Sequence, residues 1–309
     1  MPKALLITGA TGKQGGAVID ALLAQGSKDT ILAVTRDTES TSAKRLAHKS
    51  PLIKLVQGDL DDAAGVFAAA KQMAGKEVIW GVFSVQLAMG KGASSEREQR
   101  QGIALVDEAL KHGVQHFVYS SVDRGGDEKS WSTPTNVPHF ITKHNIELHL
   151  KKSAAGTNMG WTILRPVAFM DNLVPGYPTK VFLAALRDTM KDKPLQWIAT
   201  ADIGWFAAQA FAKPQEYNHK AIGLAGDDLT FDQLSKTFEK TTGQPAGTSF
   251  SFLGSTLMYM MPEMGTMITW FATDGYGVDI KALRRQHPEL LDMEAWITKK
   301  SAWETKESH

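Results

Sequence analysis

Residues 4–16 read Ala4-Leu5-Leu6-Ile7-Thr8-Gly9-Ala10-Thr11-Gly12-Lys13-Gln14-Gly15-Gly16, an apolar run that breaks into glycines before apolar spacing resumes in Val18-Ile19-Asp20-Ala21-Leu22-Leu23. The pattern predicts a strand, a tight turn and a helix. In a doubly wound α/β unit, that turn is where a dinucleotide pyrophosphate meets the unpaired N–H groups and positive dipole end of the first helix. Gly9 lets the chain leave the strand sharply, Gly12 clears room for phosphates beside the backbone, and Gly15 lets the helix lie close to the sheet. The spacing is G-x-x-G-x-x-G rather than G-x-G-x-x-G, so the strand before and the helix after carry the reading more than the glycines do. A glycine-rich turn of another αβ fold is the alternative. No G-K-[ST] follows to make a P-loop.

Moving outward, Thr30-Ile31-Leu32-Ala33-Val34 predicts a second strand ending in Thr35-Arg36, where an NAD-specific site usually carries a carboxylate. Arg36 can pair with a 2′-phosphate, which puts NADP(H) ahead of NAD(H) as cofactor, with Asp37 keeping NAD(H) open. Lys44 and Arg45 read as ordinary surface charge. A third strand, Ile53 to Gln57, leads to Gly58-Asp59-Leu60. From there Asp59 could accept a hydrogen bond from an adenine amino group while Leu60 covers the ring. Asp61 or Asp62 is expected to cap the helix that begins near Ala63. The fourth strand, Glu77 to Phe83, runs into Ser84-Val85-Gln86, which together with Phe83 should border the cofactor ribose. Leu87 to Ser95 lacks periodicity and reads as a mobile rim. A helix is expected over Glu96–His112, with Gln101, Leu105 and Ala109 spaced along it and Gly113 ending it. A fifth strand follows and ends in Tyr119-Ser120-Ser121, with Tyr119 expected to pack inward. Alternating strands and helices imply a parallel sheet with function at the carboxyl ends of its strands.

The 309 residues are 43% hydrophobic with a formal net charge of +1, enough to bury a large core and without the basic excess of a nucleic-acid binder. The absence of cysteine excludes disulfides, zinc–thiolate sites and cysteine nucleophiles. No apolar stretch approaches membrane-spanning length, and no leader pattern is seen, so a cytoplasmic protein is expected, with the nucleus open. The histidines show no ligand spacing, and no metal is expected.

In Pro138-His139-Phe140-Ile141-Thr142-Lys143-His144-Asn145-Ile146-Glu147, helical spacing puts His139 and Lys143 on one face. Ordinary short-chain reductases carry a tyrosine and a lysine at these positions, the lysine holding the ribose and activating the phenol. Here His139 stands in the tyrosine's place, as a candidate proton carrier or simply a hydrogen bonder at the helix start.

The glycine turn, Val34-Thr35-Arg36, Gln57-Gly58-Asp59, Tyr119-Ser120-Ser121, Lys143 with Glu147, and Trp161 to Leu173 together resemble the NmrA-like branch of atypical short-chain dehydrogenases, over nearly the whole chain. The resemblance implies a Rossmann fold in which Gly9, Thr11, Gly12, Lys13 and Gln14 hold the pyrophosphate and Arg36 the 2′-phosphate. It implies that Asp59 and Leu60 hold the adenine, that Lys143 holds the nicotinamide ribose, and that Phe169, Met170, Asp171 and Asn172 close over the nicotinamide. It also implies either reduction of small aromatic or quinone-like substrates or regulation of a protein partner without turnover. The substituted tyrosine departs from ordinary reductase chemistry.

Residues 1–160 are expected to form the Rossmann domain, completed by 161–173 and 195–212, with 174–194 and 213–309 making a smaller α/β substrate or partner domain. Within these, Asp202 is expected to N-cap a helix, Thr230 and Gln233 to form a capping box, and Trp296 and Trp303 to pack in a closing helix or arm. Leu257 to Phe271, rich in methionine, reads equally as core, as a substrate-pocket wall or as a partner surface. The catalytic candidates are Lys143 and His139. The expected reaction is NADPH-dependent reduction of a hydrophobic carbonyl, quinone or conjugated substrate, the alternative being a redox sensor.

Overall fold

The computed structural model describes residues 3–88 and 92–306. Part of the segment read as a rim, residues 89–91, lies outside the described residues. The strands are β1 (Ala4–Ile7), β2 (Thr30–Thr35), β3 (Ile53–Gln57), β4 (Ile79–Ser84), β5 (His116–Ser120), β6 (Gly160–Pro166), β7 (Ala168–Phe169), β8 (Leu195–Ile198), β9 (Lys220–Leu224) and β10 (Asp227–Leu229). The chain divides into two compact units, one of Met1–Val122, Ile141–Arg165 and Ala201–Ile222, the other of Asp123–Phe140, Pro166–Thr200 and Gly223–His309.

The main sheet has seven strands in the order β3-β2-β1-β4-β5-β6-β9, and the pairings from β3 to β6 are parallel. Every residue of β1, β2 and β5 is buried, as expected of strands covered on both faces by helices. Strand order reverses beside β1: the chain moves outward through β2 and β3, then returns to pair β4 on the other side. That reversal opens a crevice at the carboxyl ends of β1 and β4.

The flanking helices follow their sequence signals closely. Lys13–Ala24 buries Gly15, Val18, Ile19 and Leu22, the stripe that three- and four-residue spacing dictates. Asp62, rather than Asp61, caps Ala63–Ala74, its carboxylate accepting the Gly65 N–H at 2.9 Å. Helix Ser95–Lys111 begins one residue earlier than the spacing suggests because Ser94 accepts the Arg97 N–H. Asp202 does not cap its helix, which begins at Thr200 and holds Asp202 within the first turn. An acidic side chain there still favours the helix dipole, so the same residue type serves a neighbouring role. In this helix Gly204 packs directly on the first helix: a Cβ there would lie 2.3 Å from the Ala17 carbonyl oxygen.

The second unit contains a three-stranded sheet in the order β10-β8-β7. Thr230 and Gln233 form the capping box that starts Phe231–Thr242. Trp296 is buried in helix Met293–Lys299, and Trp303 donates its indole N–H to the Leu173 carbonyl at 2.7 Å while meeting Phe238 edge-on. The methionine-rich run divides in two. Helix Pro262–Thr273 buries Ile268, Trp270 and Phe271, whereas helix Ser251–Met260 leaves Tyr259 86% and Met260 74% exposed. Among the described residues, no helix is long and apolar enough to cross a membrane.

Candidate functional site

The crevice is built around Thr8 and Gly9. The Thr8 hydroxyl accepts the Val85 N–H at 2.8 Å and lies 3.0 Å from the Val85 carbonyl and 3.1 Å from that of Phe83, which ties the exit of β1 to the exit of β4. Gly9 then turns with φ +58°, in the left-handed region, and a Cβ there would meet Val85 Cγ1 at 2.8 Å. Gly15 is more restricted still: its Cβ would fall 2.3 Å from the Gly9 carbonyl oxygen and 2.5 Å from that of Thr8. The turn and the helix therefore occupy space that only hydrogen can share. Gly12 is the residue preceding helix Lys13–Ala24, with no side chain to cap it, so the first amide groups of the helix stay available to an anion. Thr11 and Lys13 stand exposed beside them.

Gln14, half-buried, accepts the Ser120 hydroxyl at 2.5 Å and so links this helix to the end of β5. Phe83, Ser84 and Val85 are buried at the end of β4. The Gln86 amide donates to Ser84 Oγ at 2.9 Å, and its Oε1 is buried without a hydrogen-bond partner among the described residues. A buried carbonyl oxygen left in this way costs free energy and is a ready acceptor.

At the end of β2, Arg36 is exposed, and among the described residues no side chain pairs with its guanidinium. Asp37 does not approach it as a partner: its carboxylate accepts the Glu39 N–H at 2.8 Å, closing a local turn. Lys44 pairs with Glu39 at 2.8 Å on the surface. Among the described residues, Arg36 and the exposed Arg45 are therefore the guanidinium groups of this corner without a side-chain partner, and Arg36 is the one at the end of β2. At the end of β3, Asp59 caps a short turn by accepting the Asp61 N–H at 3.0 Å, and Leu60 is half-buried beside it. Arg97 bridges this corner, with Nη2 3.3 Å from Asp59, Nε 2.9 Å from Asp61 and Nη1 2.8 Å from the Gly92 carbonyl. Hydrogen bonds from Arg97, Gln101 and Arg100 hold the Asp61 carboxyl well below the usual carboxylate range.

Helix Pro138–Ala154 supplies the remaining polar groups. Lys143 places its ammonium 2.9 Å from Glu98 Oε1, with both side chains nearly sealed from solvent. Thr142 donates to the other Glu98 oxygen at 2.5 Å. The Tyr119 ring, fully buried as expected, has its centroid 5.9 Å from the same ammonium. One turn further along, Glu147 receives Arg165 through Nε at 3.1 Å and Nη2 at 2.8 Å, and also accepts the Ser121 hydroxyl. This bidentate pair fastens the helix to the ends of β5 and β6.

In the second unit, His139 is buried, and its Nδ1 lies 2.7 Å from Glu263 Oε1, which also accepts the His139 main-chain N–H at 3.3 Å. Phe169 is half-buried, Met170 buried and Asn172 exposed. The Asp171 carboxylate accepts the Thr200 N–H at 2.8 Å and its hydroxyl at 2.7 Å, an anchoring task at the start of the Thr200 helix.

Sequence reasoning missed Glu98, Glu263 and Arg97. Glu98 had a legible signal: it lies three residues before Gln101 on the stripe that continues through Leu105, a carboxylate on a buried helix face. Glu263 had only its isolation, as the sole charged residue of the stretch 244–273. Among the described residues, no group of three His, Asp or Glu side chains could hold a metal ion.

Comparison with known proteins places these features in context. The model of the NmrA-like family matches residues 1–297. The chain is 25% identical over 262 residues to the NmrA-like family domain-containing oxidoreductase hkm9 of Aspergillus hancockii, covering 78% of this chain and 73% of that one. Among solved structures, NmrA, a negative transcriptional regulator in complex with NAD, superposes with a TM-score of 0.71 at 17% identity, covering 97% and 95% of the two chains. The Citrobacter sp. triphenylmethane reductase complexed with NADP(H) gives 0.72 at 17% identity, covering 96% and 99%. The structural likenesses establish a shared Rossmann-type fold, and with the family model spanning nearly all of the sequence, the chain belongs to the NmrA-like family.

Proposed function

We propose that this protein binds NADP(H) and catalyses NADPH-dependent reduction of a hydrophobic carbonyl, quinone or conjugated substrate. A dinucleotide fits the residues present. The glycine turn leaves helix amides exposed to a pyrophosphate, and the orphaned Gln86 Oε1 awaits a hydroxyl or amide donor. Arg36 has a guanidinium ready for a 2′-phosphate, with the neighbouring Asp37 engaged in its own turn. Asp59 and Leu60 are the residues we assign to the adenine, and Phe83, Ser84 and Val85 to the ribose side of the crevice. Phe169, Met170, Asp171 and Asn172 are assigned to the nicotinamide end. Two of the similar proteins agree in kind: one is an oxidoreductase, one a reductase complexed with NADP(H).

The observation that carries catalysis, rather than binding alone, is a buried imidazole and a buried ammonium four residues apart on one helix. Binding needs the glycines and Arg36. It does not need two ionisable groups held out of water, which are costly and concentrate at reactive sites. When bound, NADPH supplies the hydride. Lys143, held by Glu98, orients the ribose hydroxyls and keeps positive charge beside the site where negative charge develops on the substrate. His139 gives the substrate oxygen its proton and recovers one from water.

The test is NADPH oxidation with a panel of quinones, aromatic ketones and conjugated alkenes. Turnover by the wild-type protein, lost in Lys143→Met/Glu98→Gln while NADPH still binds, supports the reading. No turnover with any substrate, together with tight and redox-dependent dinucleotide binding, would replace it with a sensor. That second reading draws on one feature, the exposed and uncharged helix Ser251–Met260, whose Phe252, Tyr259 and Met260 suit a protein partner.

A further inference from the structure

His139 occupies the position where a reductase of this kind is expected to carry a phenol, and imidazole brings a difficulty that phenol does not. A phenol has one titrating oxygen, whereas an imidazole has two nitrogens, and proton transfer from a defined point requires the ring to be held in one tautomer and one orientation. The second unit contains a device that does this. Glu263 Oε1 lies 2.7 Å from His139 Nδ1 and 3.3 Å from the main-chain nitrogen of the same residue, so one carboxylate oxygen holds both ring and backbone.

The surroundings fix both partners. Glu263 sits in the first turn of helix Pro262–Thr273, preceded by a proline suited to that position, where a carboxylate also interacts favourably with the helix dipole. The His139 ring meets Phe140 edge-on with centroids 4.7 Å apart, and Phe140 meets Trp270 of the Glu263 helix at 5.1 Å and 87°. Phe140 and Trp270 are buried, so this chain of aromatic rings locks the helix bearing the carboxylate against the residue bearing the imidazole. The carboxylate is also unusual in its context. Residues 244–273 contain no other charge, so the single ionic group of a long uncharged stretch is directed at this histidine.

We propose that Glu263 is a positioning residue for His139, accepting the Nδ1 proton so that Nε2 is the nitrogen that delivers a proton to the reduced substrate. The inference rests on the reductase reading above. In the step it describes, hydride from NADPH forms the new C–H bond, the carbonyl π pair moves to oxygen, and the imidazolium Nε2–H bond breaks as the O–H bond forms. The ring is left neutral with its proton on Nδ1, and water restores the second proton. Glu263 accepts from Nδ1 throughout the step and stabilises the charged ring, as the carboxylate of a catalytic triad does for its histidine. The other ionisable group on the same helix face, Lys143, has its charge answered by Glu98.

The experiment compares wild-type protein with Glu263→Gln, which keeps an acceptor but loses the charge, and Glu263→Leu, which loses both. His139 is followed by nitrogen–proton NMR through a pH titration, its signals assigned by their loss in His139→Gln. The expected wild-type ring keeps its Nδ1 proton on both sides of the titration midpoint, and Nε2 is the nitrogen that gains and loses the titrating proton. In Glu263→Gln the titration midpoint falls by about one unit, a tenfold loss of proton affinity, and in Glu263→Leu the proton moves to Nε2. With NADPH and an accepted substrate, Glu263→Leu lowers kcat on the order of tenfold or more and shifts the pH profile, KM for NADPH is unchanged, and Glu263→Asp recovers part of the loss. The same tautomer and midpoint in all three proteins would overturn the pair itself. An altered ring with unaltered kcat and pH profile would overturn its positioning role. Absence of turnover in the wild type would overturn the reductase reading, and the NMR arm tells that failure apart from failure of the pair. Thermal melts confirm that each variant is folded before it is scored.

Discussion

The Lys143 ammonium and the Glu98 carboxylate meet at 2.9 Å with 9% and 0% of their side chains exposed, a buried ion pair joining helix Pro138–Ala154 to helix Ser95–Lys111. Removing one member strands the other charge in the interior, which typically costs about 3–5 kcal/mol, whereas neutralising both at similar volume costs far less. Lys143→Met alone is therefore expected to lower the unfolding free energy by roughly that amount, and Lys143→Met/Glu98→Gln to recover more than half of it. Urea unfolding of the two single variants and the double variant measures this. Strictly additive losses would mean that the pair contributes nothing as a pair.

Under the proposed function, Arg36 is the residue assigned to the choice between the two nicotinamide dinucleotides. A charge-assisted, two-pronged contact with a 2′-phosphate at a solvent-exposed corner is worth about 1.5–3 kcal/mol, so Arg36→Ala should weaken NADP+ binding by roughly 10- to 100-fold. NAD+ affinity should change by less than about threefold, because NAD+ has no phosphate at that place. Titration calorimetry with both nucleotides decides the matter, and equal losses for the two would remove Arg36 from the specificity site.

Gly15 and Gly16 make a controlled pair. A Cβ on Gly15 would lie 2.3 Å from the Gly9 carbonyl oxygen, while one on Gly16 would rest 3.5 Å from the Ala10 carbonyl, an ordinary contact. Gly15→Ala must push the turn off the helix and is expected to abolish dinucleotide binding. Gly16→Ala lies in the same helix and should be neutral or raise stability by up to about 1 kcal/mol. Equal binding by the two variants would show that the tight approach is not needed.

His116 makes stability depend on pH. Burial, reinforced by the nearby His219, depresses its pKa from 6.5 to about 4. The Thr162 hydroxyl donates to the Tyr217 carbonyl and lies 2.9 Å from His116 Nε2, so the neutral ring donates from Nε2. A histidine with a depressed folded-state pKa binds fewer protons than its unfolded counterpart between the two values. Stability is therefore fully present above about pH 6.5, falls as pH drops from 6.5 toward 4, and levels off below that, for a loss of about 3 kcal/mol in all. Chemical denaturation across pH 4–7 should show this loss in the wild type, and His116→Gln should flatten that part of the curve. An identical pH dependence in the variant would place the loss elsewhere.

The glycine turn, the alternating strands and the helix caps could be read from the chain itself, because they depend on neighbours only a few residues away. Gly9 must turn where a strand ends, Asp62 and Thr230 cap helices that begin beside them, and the stripe Val18, Ile19, Leu22 repeats with the helix. The same local logic made His139 and Lys143 visible as a pair, since four residues span one turn. It misassigned the cap at Asp202, where the helix already begins at Thr200, and placed the start of helix Ser95–Lys111 one residue late. The partners of these side chains were set by tertiary structure. Glu98 precedes Lys143 by 45 positions, and Glu263 follows His139 by 124. Whether a charge is neutralised, a tautomer held or a guanidinium left unpaired depends on which distant side chain the fold brings within 3 Å, and hydrophobic periodicity carries no record of such pairings. Composition and local spacing sufficed for the Rossmann topology, while the electrostatic state of its polar groups came into being only when the chain closed on itself.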